Sequence, residues 1–397
     1  MRVAVLTREY PPEVYGGAGV HVTHLVEQLA KLVDVQVHCF GADREMAGVQ
    51  AHRPWDALAA RRPDEAALEV MSVDLLMASA VRGADLAHSH TWYANLGGRL
   101  AQLLHGIPHV MTAHSLEPLR PWKREQLGGG YALSLYCERA AAESADAIVA
   151  VSGGMRTDIL ATYPSVDPDR VEVIHNGIDT DAWRPVAETG ALRRLGIDPD
   201  VPSVVFVGRI TRQKGVGHAL AAAELIDRRA QVVLCAGAPD TPEIGREMRD
   251  LAAAVAATRG RVVWIEEMVP RADLVQVLSA ATVFLCPSVY EPFGLTNLEA
   301  MACETAVVAS AVGGIPEIVV EGETGMLVPY DEDDPAGFAA ALAARVNVLL
   351  DDPDRAAAMG RAGRLRAIEH FGWPAVAART VALYESLASR PRVEAFT

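Results

Sequence analysis

The fold is decided by residues 203–228, which read SVVFVGRITRQKGVGHALAAAELIDR. The run Val204–Val207 is apolar and consists of β-branched and aromatic residues, which predicts a buried strand. A loop that contains Gly208 and Gly215 follows, and the alanine- and leucine-rich stretch Val216–Arg228 predicts a helix. A buried strand, a glycine-containing loop and a helix together form the repeating unit of parallel α/β sheets.

The same unit recurs along the whole chain of 397 residues. The predicted strands are Val3–Leu6, Val35–Phe40, Leu86–Ser89, His109–Thr112, Ala147–Val151, Val204–Val207, Val232–Cys235, Val262–Ile265, Thr282–Cys286, Ala306–Ala309 and Met326–Val328. The helical stretches include Ala18–Leu32, Tyr93–Leu104, Ser134–Ser144, Val216–Arg228, Pro242–Arg259, Leu295–Ala302 and Trp373–Ser389. We therefore expect an α/β protein with doubly wound parallel sheets and helices on both faces.

The alternation is interrupted between Tyr163 and Pro202, where prolines are frequent and the pair Asn176-Gly177 occurs. An Asn-Gly pair is typical of a turn, and proline-rich polar segments often separate domains. At about 150 residues per domain, a chain of this length is expected to form two or three domains. We expect a hinge around residues 165–180 and two doubly wound domains.

The composition excludes several classes of protein. Half of the residues (50%) are hydrophobic and the net charge is −15, which excludes disorder of the whole chain and argues against binding to nucleic acid or anionic membranes. The five cysteines are scattered and form no CxxC motif, which predicts reduced thiols and a cytoplasmic location. The first apolar run, Val3–Leu6, is too short for a signal peptide, and no run approaches the length of a membrane span.

The loop that follows the strand Val204–Val207 carries the cations Arg209 and Lys214, five residues apart, and is closed by Gly215. In doubly wound sheets such a loop faces the crevice at the carboxyl ends of the strands, where ligands bind. Two cations there can hold a diphosphate. A solvated basic loop is the alternative, but in an acidic chain we favour the diphosphate clamp. The loop is not a Walker A motif, because the chain contains no GxxxxGK[ST].

A second motif, EPFGLTNLE at residues 291–299, leads from a strand into a helix. Its first and last residues, Glu291 and Glu299, are eight apart, a little over two helical turns, so both carboxylates can face the same way. The N–H groups of Gly294, Leu295 and Thr296 would begin the helix and attract an anion. Either carboxylate alone could be a helix cap or a surface group.

The expected first domain holds weaker signals. Gly16 and Gly17 open a helix and could admit an anion, although a tight turn with close packing explains them as well. His114 follows a predicted strand, where a structural histidine is also common. His88 and His90 could suggest a metal, but no third ligand lies near them in the sequence, so we expect no metal site.

These motifs, in this order and over nearly the whole chain, resemble the retaining, nucleotide-sugar-dependent GT-B glycosyltransferases. The stretches Glu9–Pro12, Tyr15–Gly17 and Glu291–Glu299 are similar to those of the actinobacterial glycogen synthase and α-maltose-1-phosphate synthase group. The resemblance implies two Rossmann-like domains facing across a deep cleft. It implies an acceptor domain at residues 1–170 and a donor domain at 171–373, with a final helix, about 374–397, that crosses back to the first domain.

The resemblance also implies the reaction: transfer of glucose from ADP-glucose to glucose 1-phosphate, giving α-maltose 1-phosphate for glycogen and α-glucan synthesis. It implies small-molecule substrates, no cofactor and no metal, and it leaves a homodimer open as one assembly. Classical bacterial glycogen synthases have Lys-x-Gly-Gly where this chain has Val14-Tyr15-Gly16-Gly17, and they are longer. Both departures argue against a long glucan acceptor.

Other readings remain open beside this one. The chain could be a glycogen synthase that extends α-1,4-glucan, or a GT-B transferase with another donor such as GDP-mannose. A sugar-nucleotide epimerase on the same fold would not need the arginine, lysine and glutamate set. A non-catalytic nucleotide-binding protein would not need to keep it intact.

The resemblance assigns residue roles for the donor. Arg209 and Lys214 would hold the diphosphate and stabilise the departing ADP, Glu299 would bind the ribose, and Glu291 would bind the donor sugar. The remaining donor contacts would come from His114 at the sugar O6, from Gly16 and Gly17 at the diphosphate, and from the backbone of Gly294, Leu295 and Thr296.

For the acceptor, the candidates are Glu9 and the cluster Arg120, Lys123 and Arg124, which lies shortly after His114. The three cations could bind the phosphate of glucose 1-phosphate. A solvated basic loop explains the cluster equally well. By topology alone, the nucleotide base is expected near residues 237–240 and 267–269, in loops that follow strands of the second domain.

Overall fold

The structure is a computed structural model that describes residues 1–58 and 62–389. The chain forms two compact units, one made of Met1–Gly177 with the segment from Trp373 onward, the other of Ile178–Gly372. The sequence analysis predicts the boundaries between the two units near residues 170 and 373. Residues 390–397, the end of the expected final helix, lie outside the described part of the chain.

The first unit contains a fully parallel sheet of seven strands in the order β3-β2-β1-β4-β5-β6-β7. The strands are β1 (Arg2–Thr7), β2 (Asp34–Phe40), β3 (Val49–His52), β4 (Leu86–His90), β5 (His109–Ala113), β6 (Ala147–Ala150) and β7 (Val171–Val173). The predicted strands of this unit are confirmed, with ends shifted by one or two residues. The edge strands β3 and β7 are additional, because they are short and partly polar.

Helices cover both faces of this sheet. They are α1 (Gly17–Leu29), α2 (Ala66–Ala80), α3 (Trp92–His105), α4 (Lys123–Leu127), α5 (Gly130–Ser144), α6 (Gly153–Thr162) and α15 (Trp373–Ala388). Val3 and Val5 pack towards α1 and α15, whereas Ala4 and Leu6 pack towards α2 and α3. The strand β1 is therefore buried on both sides, as its unbroken apolar sequence predicts.

The last described helix, α15, returns to the first unit and packs against α1. The predicted return of the chain to this unit is confirmed. Gly177 makes room for the return, because a side chain there would begin 2.4 Å from the Trp373 ring. The prediction of a turn at Asn176-Gly177 is wrong: residues 174–177 form no turn, and the glycine serves this close approach.

The second unit contains a parallel sheet of six strands in the order β10-β9-β8-β11-β12-β13. The strands are β8 (Ser203–Arg209), β9 (Gln231–Gly237), β10 (Val262–Ile265), β11 (Val283–Cys286), β12 (Ala306–Ser310) and β13 (Gly325–Val328). The helices are α7 (Gly190–Arg194), α8 (Val216–Leu225), α9 (Pro242–Arg259), α10 (Arg271–Ala280), α11 (Leu295–Ala302), α12 (Ile315–Ile318), α13 (Pro335–Asp351) and α14 (Pro353–His370). All strands predicted for this unit are confirmed.

Alternate residues of β8 point to opposite faces and both sets are buried. Val204 and Phe206 join the core that includes side chains of α8, α9 and α13, while Val205 is equally buried on the other side. The strand order reverses between β8 and β11, which is the switch point where ligands bind in such sheets. None of the described helices is long and apolar enough to cross a membrane.

Candidate active site

The loop after β8 is held tightly against the chain that follows β11. Gly215 has a φ of +68°, and a Cβ there would lie 2.0 Å from the Pro287 carbonyl oxygen. Only glycine therefore allows this approach. The backbone N–H of Val289 also donates to the carbonyl of Gln213. These contacts bring Lys214 next to the segment that begins the motif of residues 291–299.

Lys214 and Glu291 form a largely buried ion pair. The Lys214 Nζ donates to Glu291 Oε2 at 2.6 Å, and the Ser288 hydroxyl donates to the same oxygen at 3.1 Å. Burial alone would lower the pKa of Lys214, but its neighbours, Glu291 foremost, hold the pKa above its ordinary value. The ammonium is therefore charged at neutral pH. The ion pair also joins the two sequence motifs, because Lys214 belongs to the loop after β8 and Glu291 begins the motif of residues 291–299.

Arg209 ends β8 and donates from Nη1 to the carboxylate of Asp240 at 3.1 Å. Beside it lies a cavity of about 240 Å³. The cavity is lined by Val207, Gly208, Arg209, Cys235, Gly237, Ala238, Glu267, Met268, Val269 and Leu274. Complete small-molecule sites span about 300–1,000 Å³, so this volume suits one part of a larger ligand. The two loops that topology assigned to a nucleotide base both contribute to it.

The helix α11 begins at the expected place. Gly294 precedes it with a φ of +108°, and the N–H groups of Leu295 and Thr296, at the start of the helix, have no carbonyl partner within it. Glu299 is the fifth residue of the helix, in its second turn, and is partly exposed. Burial raises its pKa to about 8, and the nearby Lys214 only partly opposes this. A ligand that donates hydroxyl groups to this carboxylate would favour its charged form.

In the first unit, the start of α1 is occupied by a carboxylate of the same chain. Glu9 Oε2 accepts hydrogen bonds from the backbone N–H of Tyr15 at 3.0 Å and of Gly16 at 2.7 Å. A Cβ at Gly19 would lie 2.6 Å from the same Glu9 carboxylate. Gly16 and Gly19 thus let Glu9 lie against the start of the helix. This is the close packing that the sequence analysis gave as the alternative to an anion site. An anion at the Gly16 N–H would be repelled by the Glu9 carboxylate.

The basic cluster after His114 is not a solvated loop. Arg120 donates from Nη1 to Ser115 Oγ at 3.1 Å and pairs with Glu117 at 3.3 Å. Lys123 is buried and donates to the Gln126 side chain, which turns it away from the role of a free phosphate ligand. Arg124 alone is exposed, with its guanidinium 5.7 Å from the centre of the Tyr131 ring. The solvated-loop interpretation is therefore wrong for two of the three cations.

Two buried acids hold this loop, and the sequence analysis did not identify them. Both Glu138 carboxylate oxygens accept from the Glu117 backbone N–H, at 3.0 and 3.1 Å, and the Tyr163 hydroxyl donates to one of them at 2.6 Å. Burial, together with the Glu117 charge, raises the pKa of Glu138 to about 8. Glu138 is a positioning residue for the chain that carries Ser115 and Arg120. Its place in α5 gives no signal in the sequence.

The structure brings His114 together with two other histidines, His21 from α1 and His90 from the end of β4. One ring nitrogen of each lies within 4.8 Å of the other two. The statement that no third ligand candidate accompanies His90 is therefore wrong, because His21 and His114 are distant in sequence but adjacent in space. His88 is not part of this group, since its two ring nitrogens contact Thr112 and Tyr384.

Comparison with known proteins identifies a family for each of the two units. Residues 15–182 match Glycosyltransferase Family 4, and residues 191–366 match Glycosyl transferases group 1. The two matches fall almost entirely within the first and the second unit, respectively.

Individual proteins extend the match to the full chain. An α-maltose-1-phosphate synthase of Mycolicibacterium smegmatis is 57% identical over 98% of this chain and 100% of that protein. A D-inositol 3-phosphate glycosyltransferase of Thermobispora bispora is 36% identical over 77% of this chain and 71% of its own length. The solved structure of sucrose-phosphate synthase from Thermosynechococcus elongatus matches with a TM-score of 0.81, 27% identity, and coverage of 97% and 98%. The chain therefore belongs to the GT-B glycosyltransferases, with a family 4 domain followed by a group 1 domain.

Proposed function

We propose that the protein transfers glucose from ADP-glucose to glucose 1-phosphate with retention of configuration, forming α-maltose 1-phosphate. The observation that carries this proposal is the 57% identity, over the whole length of the relative, to an α-maltose-1-phosphate synthase. The lack of a lysine before Gly16-Gly17 favours the small acceptor over a glucan chain.

The second unit would bind the donor. The cavity beside Arg209 would hold the base, and Glu299 would accept hydrogen bonds from the ribose hydroxyl groups. Arg209 and Lys214 are each paired with a carboxylate and are therefore held in position before a ligand arrives. The diphosphate would be met by these cations and by the N–H groups that begin α11, while Glu291 and the backbone around Gly294 would orient the sugar.

The first unit would bind the acceptor, and His114 would contact the donor sugar. Ser115 and Arg120 lie on the loop directly after His114 and are the best candidates for the acceptor phosphate. We give Lys123 and Arg124 no direct contact. Glu9 is a candidate for an acceptor hydroxyl, and the diphosphate would approach the N–H of Gly17 rather than that of Gly16, which already donates to Glu9.

The chemical step needs no metal and no enzyme nucleophile in this proposal. The bond between the glucose C1 and the ADP oxygen breaks, and the acceptor O4 forms a bond to C1 on the same face. The acceptor proton passes to the departing phosphate oxygen. Lys214 and Arg209 stabilise the negative charge that develops on ADP, and Glu291 stays paired with Lys214 instead of attacking C1.

A cytoplasmic location fits this chemistry, because sugar nucleotides are cytoplasmic metabolites. All five cysteines are buried and free. Unpaired thiols of this kind are the expected state in a reducing compartment.

The test is the rate of ADP release from ADP-glucose with glucose 1-phosphate and, separately, with glycogen, alongside GDP-mannose and UDP-glucose as donors. We expect fast turnover only with ADP-glucose and glucose 1-phosphate, and a disaccharide phosphate by mass. Turnover with glycogen alone would make the protein a polymer-extending synthase. Turnover only with another sugar nucleotide would overturn the choice of donor.

A further inference from the structure

Three histidines in the first unit form a compact group inside the protein. His90 Nδ1 and His114 Nε2 are 3.0 Å apart, and the ring of His21 lies edge-on to that of His114 with the centres 4.7 Å apart. His21 and His90 are buried, whereas His114 is partly exposed and opens the group to solvent. Tetrahedral zinc holds its imidazole nitrogens about 3.3 Å apart, so small ring movements would suffice.

The group has hydrogen-bonding capacity that the fold leaves unused. Neither ring nitrogen of His21 has a partner in the described part of the chain, and His90 Nε2 has none either. The Asn176 side chain approaches His21 but leaves both nitrogens without a bond of good geometry. Buried polar atoms without partners are uncommon and call for an explanation, of which an ion is one.

His90 Nδ1 and His114 Nε2 form a hydrogen bond at 3.0 Å, so one of these two nitrogens carries a hydrogen. An ion held by both nitrogens would take the place of that hydrogen, which would move to the other ring nitrogen of the same imidazole or leave the protein.

We propose that His21, His90 and His114 bind one divalent transition-metal ion such as Zn²⁺. Three histidines with an open fourth position are a known zinc environment, and imidazole suits zinc and its neighbours better than Mg²⁺ or Ca²⁺. The partly exposed side at His114 would hold the fourth ligand, a water molecule or an anion.

Binding would have a consequence for transfer, and this part rests on the proposed function. His114 is assigned there to the donor sugar, so an ion on its nitrogen would exclude the sugar. The reaction itself needs no metal, and Zn²⁺ would act as an inhibitor rather than a cofactor.

The binding test uses the full chain after treatment with EDTA and removal of the chelator, without substrates. Titration calorimetry with Zn²⁺ should give one ion per chain with a dissociation constant in the micromolar range or tighter. Co²⁺ should give visible absorption typical of nitrogen ligands, without a thiolate charge-transfer band. Absence of stoichiometric binding in the unaltered protein overturns the proposal, whatever its activity.

Variants locate the ion. His21→Phe keeps a ring in the buried position, and we expect it to weaken Zn²⁺ affinity at least about 100-fold, since even outer-shell partners contribute about 10–100-fold. His24→Ala, on the same helix, and His52→Asn, in the separate buried pair with His38, should bind as the unaltered protein does. Retained binding in a folded His21→Phe, checked by circular dichroism, would overturn the proposal. Equal inhibition of glucose transfer by Zn²⁺ in the unaltered protein and in the His21→Phe variant would overturn the inference that the ion and the donor sugar compete for His114.

Discussion

The cations Arg209 and Lys214 of the second unit are paired with carboxylates, whereas the histidines at the carboxyl ends of β4 and β5 in the first unit are neutral. In the second unit Lys214 holds Glu291, and Arg209 holds Asp240. In the first unit, the pKa of His114 is lowered to about 3, so it carries no charge near pH 7. Under the proposed function, this difference predicts electrostatic stabilisation by the second unit and uncharged hydrogen bonding by the first.

Burial explains why Lys214 is paired with a carboxylate in the second unit. A buried ammonium without a partner would be strongly destabilised, and a diphosphate can replace or join the carboxylate once it arrives. The positive charges are thereby fixed in place before the reaction, which is the condition for effective stabilisation of a leaving group.

Removing one paired charge should produce the largest effect. Lys214→Ala takes away a cation that faces the departing ADP and leaves the buried Glu291 unpaired, so we expect kcat/KM to fall about 10³–10⁵-fold, as for other cations that stabilise phosphate groups in transition states. Initial rates of ADP release measure this. Arg212→Ala, an exposed arginine in the same loop, is the control and should keep most of the activity.

Glycine substitutions test how the loop is held, separately from its charge. Gly215→Ala places a Cβ 2.0 Å from the Pro287 oxygen at a positive φ, and we expect a loss of about 1–3 kcal/mol in the free energy of unfolding. Gly217→Ala is matched to it two residues along, where the nearest atom lies 3.9 Å away. That variant should be as stable as the original or more so, because alanine favours helix. Equal melting temperatures for the two variants would contradict the account.

The loop after His114 differs from the neutral histidines of the first unit, because it carries the cationic candidate Arg120. Arg120→Ala should raise the KM for glucose 1-phosphate about tenfold or more, since a hydrogen bond to a charged group contributes about 1.5–3 kcal/mol, while the KM for ADP-glucose stays unchanged. Arg124→Ala, at an exposed position in the adjoining helix α4, is the control. An unchanged acceptor KM in the Arg120 variant would remove the loop from the acceptor site.

The pH dependence of donor binding should come from the second unit alone. Glu299 has a pKa of about 8, and its charged form accepts ribose hydroxyl groups better. The affinity for ADP-glucose, whose diphosphate does not titrate in this range, should therefore rise with pH up to about 8 and fall by up to about tenfold per unit below it, with proton release on binding. Calorimetry between about pH 6 and about pH 9 measures this, and Glu299→Gln should flatten the profile. A remaining step near pH 6.5, the usual histidine pKa, would contradict the neutral state of the histidines.

The sequence predicted the second unit well because its signals are local. Arg209, Lys214 and Gly215 lie in one loop, and Glu291 and Glu299 lie within one loop and helix, so spacing groups the residues within each motif. The family resemblance joined the two motifs, because Lys214 and Glu291 are 77 residues apart. The parallel strands were visible as unbroken apolar runs. Only the short edge strands β3 and β7, which contain Gln50 and Glu172, gave no such run.

The first unit was harder to predict because its contacts join distant parts of the chain. His21, His90 and His114 come from three elements, and Trp373 packs beside His21 from the far end of the sequence. No spacing rule connects them. In the same way, Glu138 holds the backbone of Glu117 across 21 residues. The second unit also contains such a pair, since Asp240 reaches Arg209 from 31 residues away. Such pairs become visible only when the sheet brings strand ends together.

The most direct test of the central claim is to follow the product by NMR. ADP-glucose labelled with ¹³C in the glucose would be mixed with unlabelled glucose 1-phosphate and the enzyme. The account predicts that the label first appears as an α-anomeric carbon linked to O4 of a sugar that carries the phosphate. A β-anomeric signal as the first product, or label that enters only free glucose or long glucan, would contradict it.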